Sequence, residues 1–208
     1  MHTSITVRPY SLSDFEDLLL IQKESFPPPF PEELWWQRDH IEAHTATFPE
    51  GAMIAYVGDD PAGSATALIT HFDGSRHTWD EVADDGFIRN SHTPDGDTLY
   101  GIDVCVRPAY RGFGVAKALY DARKELVISL GLKRYVAGCR IPDFHKAEPD
   151  LSAEDYVKDV QSGKRKDQVL TFMLKQGLQV KQIIPDYLDD EESRNYGVIV
   201  AWENRNLR

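Results

Sequence analysis

Apolar and polar residues along the chain switch between two spacings, and the switches mark out its elements. Residues 5–8 alternate and predict a short strand. Phe15, Leu18, Leu19 and Ile21 fall on one side of a helix. Ser11 or Ser13 suits its N-cap, with Asp14 or Glu16 three positions on in capping-box spacing. The proline-rich run from Ser25 to Pro31 stops that helix; it reads either as an aromatic wall over a cleft or as a plain linker. Pro31 suits the first turn of a second helix over 32–44, which carries Trp35 and Trp36. Residues 51–57 and 62–71 read as antiparallel strands joined by Gly58-Asp59-Asp60-Pro61. Residues 73–97 are acidic, with a short helix over 78–83. They read as a solvated flap, with a share in a substrate pocket as the alternative. An apolar β run over 98–106 leads through a turn to a long helix over 113–130. Leu119, Leu126 and Leu130, with Ala116 and Ala122, face a sheet, and Gly131 ends the helix. A strand over 134–141, an insertion over 142–163 with a small helix at 151–157, and a helix over 167–176 stopped by Gly177 follow. Strands over 180–184 and 197–202, around an acidic loop, close the pattern.

Composition narrows this little. At 208 residues, 41% of them hydrophobic, the chain is expected to be a single globular domain over 1–208. No apolar run reaches the roughly 18–20 residues of a membrane span, and no signal peptide is visible. Cys105 and Cys139 both lie in predicted strands and read as reduced core thiols of a cytoplasmic protein, with a nucleophile or a metal pair as the alternative. No metal is expected. A formal net charge of −11 disfavours nucleic acid and mildly favours cationic substrates such as amines, although it serves solubility equally well. Oligomeric state, a homodimer included, stays open.

The stretch at 103–119, DVCVRPAYRGFGVAKAL, changes the picture. A strand, a glycine-containing turn and a helix start, in that order, make an anion site. The first helical N–H groups lack partners within the helix, and the helix dipole favours negative charge there. Gly112 and Gly114 let backbone approach a ligand, and Arg111 adds a planar cation suited to phosphate. The Walker A pattern is absent, and so is GxGxxG, whose last glycine is replaced by Lys117. The turn does resemble the pyrophosphate loop of the GCN5-related N-acetyltransferases (GNAT), [QR]-x-x-G-x-[GA] after a strand, matched by Arg111, Gly114 and Ala116. More narrowly, Leu99-Tyr100-Gly101 through Arg111-Gly112, Gly131-Leu132-Lys133-Arg134 and Ile183-Ile184-Pro185 are similar to acetyltransferase domains fused to carbon–nitrogen hydrolases. The present 208 residues are too few for that second domain, so hydrolase activity is not implied.

The resemblance implies an α/β (α+β) acyl-CoA N-acyltransferase fold, a mixed and mostly antiparallel sheet with helices on both faces. It also implies acetyl-CoA, or a longer acyl-CoA, as co-substrate, and direct attack by a small-molecule or peptide amine. The pantetheine arm would pair with the backbone of Val104, Cys105 and Val106, and the pyrophosphate would sit on Arg111, Gly112, Phe113, Gly114, Val115 and Ala116. Asp103, an acid just before the pairing segment, is the candidate base. Alternation puts it on one face with Cys105, opposite Val104 and Val106. Where the family often carries an acidic Tyr, four residues before the late-helix glycine, this chain has Met173. Tyr187 is then the candidate acid, with Tyr196, Tyr156 and His145 as alternatives. Arg140, Glu148 and Glu154 are candidates for acceptor recognition if the 142–163 insertion walls the acceptor site.

Overall fold

The computed structural model describes residues 4–28 and 32–207. Its strands are β1 (Ile5–Pro9), β2 (Ala52–Val57), β3 (Asp60–Thr70), β4 (Thr98–Val106), β5 (Arg134–Cys139), β6 (Gln179–Ile184) and β7 (Gly197–Glu203). They form one seven-stranded sheet in the order β1-β2-β3-β4-β5-β7-β6. Every neighbouring pair is antiparallel except β4 and β5. That architecture is the GNAT-type sheet expected from the sequence.

Alternation along β4 assigns the two faces. Cys105 meets Gln22 of α1 (Phe15–Ser25), whereas Val104 and Val106 pack with Val115 and Leu119 of α4 (Val115–Ser129). The interior of β3 is buried throughout, because helices cover it on both sides. The Ser11 N–H donates to Asp14 Oδ2 at 2.8 Å, so the capping box ahead of α1 forms as its spacing predicts.

Several expectations are corrected. The second helix, α2 (Arg38–Thr47), starts six residues later than predicted, after a single turn at Glu32–Leu34. Trp35 and Trp36 therefore lie in the connection. Both are buried, the Trp36 N–H on Gln22 Oε1 at 3.1 Å and the Trp35 indole on Phe26 O at 3.1 Å. Of the connector, Pro29, Phe30 and Pro31 lie outside the described residues. The buried stripe of α4 is Val115, Leu119, Tyr120, Arg123 and Val127, with Ala122 and Leu126 partly buried against the core as expected, and Leu130 is 44% exposed because the helix has ended by then. Residues 73–97 are not a solvated flap: α3 (Trp79–Ala83), capped by Thr78, buries Ala83, and Ile88 is buried after it. The remaining helices are α5 (Ala153–Gln161), capped by Ser152 rather than starting at 151, and α6 (Leu170–Lys175), shorter than predicted.

Candidate active site

Strands β4 and β5 pair from Thr98↔Arg134 to Gly101↔Ala137, and beyond that pair no further pairing joins them among the described residues. β4 runs on to Val106, paired among the described residues only with β3, so one backbone edge of Ile102–Val106 has no strand partner. Opposite Thr66 and Ala67 the β3–β4 register slips, so Thr66 faces Asp103 and Ala67 faces Gly101. Ile102 is left as the bulged residue. Its carbonyl accepts the Trp79 indole N–H at 2.8 Å.

The chain leaves β4 through a short turn at Pro108–Tyr110. Arg107 anchors this exit, with two bonds to Glu24 at 2.9 and 2.8 Å and one to Pro61 O at 2.7 Å. Gly112 and Gly114 then adopt φ of +85° and +96°, a region that disfavours side chains, and a Cβ on Gly112 would meet nothing within 4 Å. Phe113 between them is 59% exposed, and Arg111 is exposed with its Nε on Val106 O at 3.3 Å. Among the described residues, no partner is recorded for the backbone N–H of Gly112, Gly114, Val115, Ala116 or Lys117. Open space, bare amides and a nearby guanidinium are what an anionic group needs.

Asp103 stands at the bulge with its carboxyl turned inward. Oδ1 accepts the Thr66 N–H at 2.7 Å and Oδ2 accepts the Trp36 indole N–H at 3.3 Å. Burial pushes its pKa up from the ordinary carboxylate value, opposed by the Arg123 charge and by these hydrogen bonds. Cys105 shares its face, Sγ 3.6 Å from Asp103 Oδ2, as alternation predicts. Burial, and then the Asp103 charge, push that thiol well up, and burial does the same to Cys139, so both are poor nucleophiles near neutral pH. Among the described residues no group of three or more His, Cys, Asp or Glu side chains is placed to hold a metal ion.

The chain matches the family model described as Acetyltransferase (GNAT) family over residues 15–148. It is 43% identical over 203 residues to a Bacillus subtilis (strain 168) protein named uncharacterized N-acetyltransferase YkwB, covering 97% of this chain and 89% of that one. The chain belongs to the GNAT acetyltransferase family. A second B. subtilis (strain 168) relative, the probable hydrolase YhcX, is 38% identical over 203 residues; the alignment takes in 96% of this chain but 39% of YhcX. Among solved structures, the GphF GNAT-like decarboxylase in complex with isobutyryl-CoA superimposes with a TM-score of 0.76 at 25% identity, covering 98% of this chain and 100% of that one. Ard1 from Thermoplasma volcanium shares the fold at a TM-score of 0.59 and 15% identity, over 96% of this chain and 97% of Ard1.

In this GNAT chain the late helix carries Met173, buried, where the family often has an acid. Tyr187 is only 1% exposed. Its ring fills the space left by Gly138 and Gly197, where a Cβ would come within 2.1 and 2.3 Å of it. Its hydroxyl lies 3.0 Å from Tyr100 Oη, which lies 2.8 Å from His77 Nε2. His77 Nδ1 faces Ser75 O at 2.9 Å, and a carbonyl only accepts, so neutral His77 carries its proton there. Tyr100 then donates to Nε2, and Tyr187 donates to Tyr100. Burial pushes the Tyr187 pKa up. Of the alternatives, Tyr156 is buried and donates to Asp167 Oδ2 at 2.9 Å. His145 Nδ1 lies 2.8 Å from Pro142 O, and Tyr196 is half-buried edge-on to Phe144.

Arg140 is already committed. It makes a bidentate pair with Asp190, at 2.7 and 2.6 Å, and reaches Glu192 at 2.9 Å. Glu148 is paired with Arg194 at 2.5 Å. The Glu148 pair ties the 142–163 insertion, and the Arg140 pairs tie the end of β5, to the loop before β7, so neither residue is held ready for an acceptor. Reading by motif missed Trp36, Trp79, Thr66 and Arg123, which surround the bulge. Only Arg123 left a signal, a cation spaced by four from Leu119 and Val127 on the inner side of α4.

Proposed function

We propose that this chain, as a single domain over 1–208, transfers an acetyl or longer acyl group from acyl-CoA to a primary amine by direct attack. The observation that carries the reading is the open edge of β4 leading into a glycine turn whose amides are bare. In this reading the pyrophosphate sits in the turn from Arg111 to Ala116, on the bare N–H groups of Gly112, Gly114, Val115 and Ala116 with Arg111, and the pantetheine amides pair with the free edge of Val104–Val106. The amine lone pair attacks the thioester carbon, and the C–N bond forms as the C–S bond breaks. Asp103, a carboxyl whose pKa burial raises, takes the proton the amine loses. The leaving thiolate takes a proton from Tyr187 or, since that hydroxyl is enclosed, from solvent. The net charge of −11 suits a cationic acceptor better than a nucleic acid.

A second reading is favoured by one specific observation. The TM-score to the GNAT-like decarboxylase is 0.76, against 0.59 for Ard1. On that reading the substrate is a 2-carboxyacyl-CoA and no amine is needed. One experiment separates the two. The protein is mixed with acetyl-CoA and a panel of amines, scoring free thiol and N-acetyl product, and separately with malonyl-CoA alone, scoring carbon dioxide. Amine-dependent thiol release supports N-acyl transfer. Carbon dioxide release without an amine, and no acetylated amine, replaces it with decarboxylation. Ligand binding without either turnover leaves a non-catalytic acyl-CoA-binding or protein-interaction module.

A further inference from the structure

The side chain with the least ordinary surroundings is Arg123. It projects from α4 into the sheet at 1% exposure, among the apolar residues of that helix's inner stripe. Its NH1 donates to Tyr135 Oη at 2.7 Å, and its NH2 donates to Thr66 O at 2.6 Å and Asp103 O at 2.5 Å. Its Nε is buried with no hydrogen-bond partner among the described residues. The two carbonyls belong to the two strands at the point where their register slips, so one nitrogen clamps both sides of the bulge. The space for this clamp is made by Gly101, where a Cβ would lie 2.9 Å from Arg123 NH1 and 2.3 Å from Tyr135 Oη.

Two carbonyls and a phenol need hydrogen-bond donors, but they do not need a full positive charge. Burying a cation against neutral partners carries a desolvation cost, so a neutral donor would be the cheaper cap for a purely structural bulge. What sets this position apart is Asp103, whose backbone the guanidinium grips and whose carboxyl it is close enough to influence. We propose that Arg123 is a positioning residue for Asp103: it locks the bulge that presents the Asp103 carboxyl and supplies a fixed positive charge beside it in the core. The proposal deepens the base role given to Asp103 and rests on it for its kinetic consequence, whereas its electrostatic consequence stands alone.

The other titratable groups facing Asp103 are Cys105 on its own strand, Tyr10 after β1 and Tyr135 on β5. Burial pushes all three up, so they stay neutral across the acidic and neutral range. His44 lies one hydrogen bond further, on Tyr10 at 2.8 Å, and is pushed down to about 4.

The test is a carbon-13 NMR titration of the Asp103 carboxyl in aspartate-labelled full-length protein, the resonance being assigned by its loss in Asp103→Asn. In Arg123→Met the midpoint should rise by about one pH unit or more. In Arg123→Lys, which keeps the charge but not the fork, it should fall between Met and wild type. If Arg123→Met does not fold, Arg123→Gln, which keeps a donor without charge, takes its place with the same expected rise. A midpoint unmoved in the folded neutral variant, or a Lys variant no closer to wild type than that neutral variant, overturns the proposal. In parallel, the acidic limb of kcat/KM should move with the NMR midpoint. If Asp103→Asn retains wild-type turnover, the base reading fails, and the titration still decides whether Arg123 governs the carboxyl.

Discussion

His44 has no exposed surface, and both of its ring nitrogens are used. Nε2 faces Gly86 O at 2.6 Å and must donate; Nδ1 accepts from Tyr10 Oη at 2.8 Å, which in turn lies 2.9 Å from Thr66 Oγ1. The ring is therefore neutral, and burial lowers its pKa from 6.5 to about 4. A base with a depressed folded pKa binds fewer protons folded than unfolded. Its contribution to stability is full above 6.5 and is lost as pH falls toward 4, by up to about 3 kcal/mol at 1.36 kcal/mol per unit. Urea midpoints measured across that window should drop in the wild type and flatten in His44→Gln, whose amide supplies one donor and one acceptor. An equal drop in both would place the acid sensitivity elsewhere. At the same scale, if Asp103 is the base proposed above, Asp103→Asn should cut kcat/KM by roughly two to four orders of magnitude while coenzyme A binding holds, because the proposed phosphate turn is untouched. Activity within a few-fold of wild type would assign the proton to water.

At the scale of elements, β4 and its flanking turn carry the site. The glycines around them do two different jobs. Gly114, with φ +96°, lies in the turn proposed to hold the pyrophosphate, and Gly114→Glu adds bulk, strain and negative charge there. That variant should keep its fold but lose the thermal stabilisation expected of the wild type in millimolar coenzyme A; a variant still stabilised would remove the turn from the proposed binding site. Gly138 instead makes room for a side chain. A Cβ there would lie 2.1 Å from the Tyr187 hydroxyl, so Gly138→Ala should cost about 1–3 kcal/mol by overpacking, read as a lower denaturant midpoint.

For the whole molecule, the two insertions are structural parts of the sheet's surroundings. Trp79 seals the bulge from the 73–97 side. On the other side α5 buries Tyr156, Val157 and Val160, and Asp167 holds that segment through Tyr156 Oη at 2.9 Å and the Asp143 N–H at 3.2 Å. Replacing residues 151–162 with a glycine–serine linker should therefore lower the melting temperature by several degrees, since a helix's worth of buried apolar surface is exposed. A folded, equally stable variant with only acceptor KM changed would restore the insertion as a pocket wall. Ligand linkage is the global readout: a coenzyme A concentration a hundredfold above Kd should add about 2.7 kcal/mol to stability. A melting curve unmoved by coenzyme A would remove the acyl-CoA reading altogether.

The order of elements, the strand–turn–helix at 98–129 and the bare amides of its turn were legible in the residues, because each depends on neighbours a few positions apart: alternation, helical spacing, caps and glycine freedom. The same locality explains the placing of Asp103 beside Cys105. Other features were decided by contacts between residues far apart in the chain. Arg140 reads as a free cation until Asp190, 50 positions on, closes on it. Trp35 and Trp36 read as helical until Gln22 and Phe26 draw them into the connection. Tyr187 reads only as a candidate acid until Gly138 and Gly197 show the slot in the core that holds its ring. Arg123 becomes more than an outlier on an apolar stripe only where a register slip brings Thr66 O and Asp103 O together. Local periodicity chooses the elements, but which polar groups they leave facing one another is set by the register and packing of the sheet, and that is fixed only when distant strands meet.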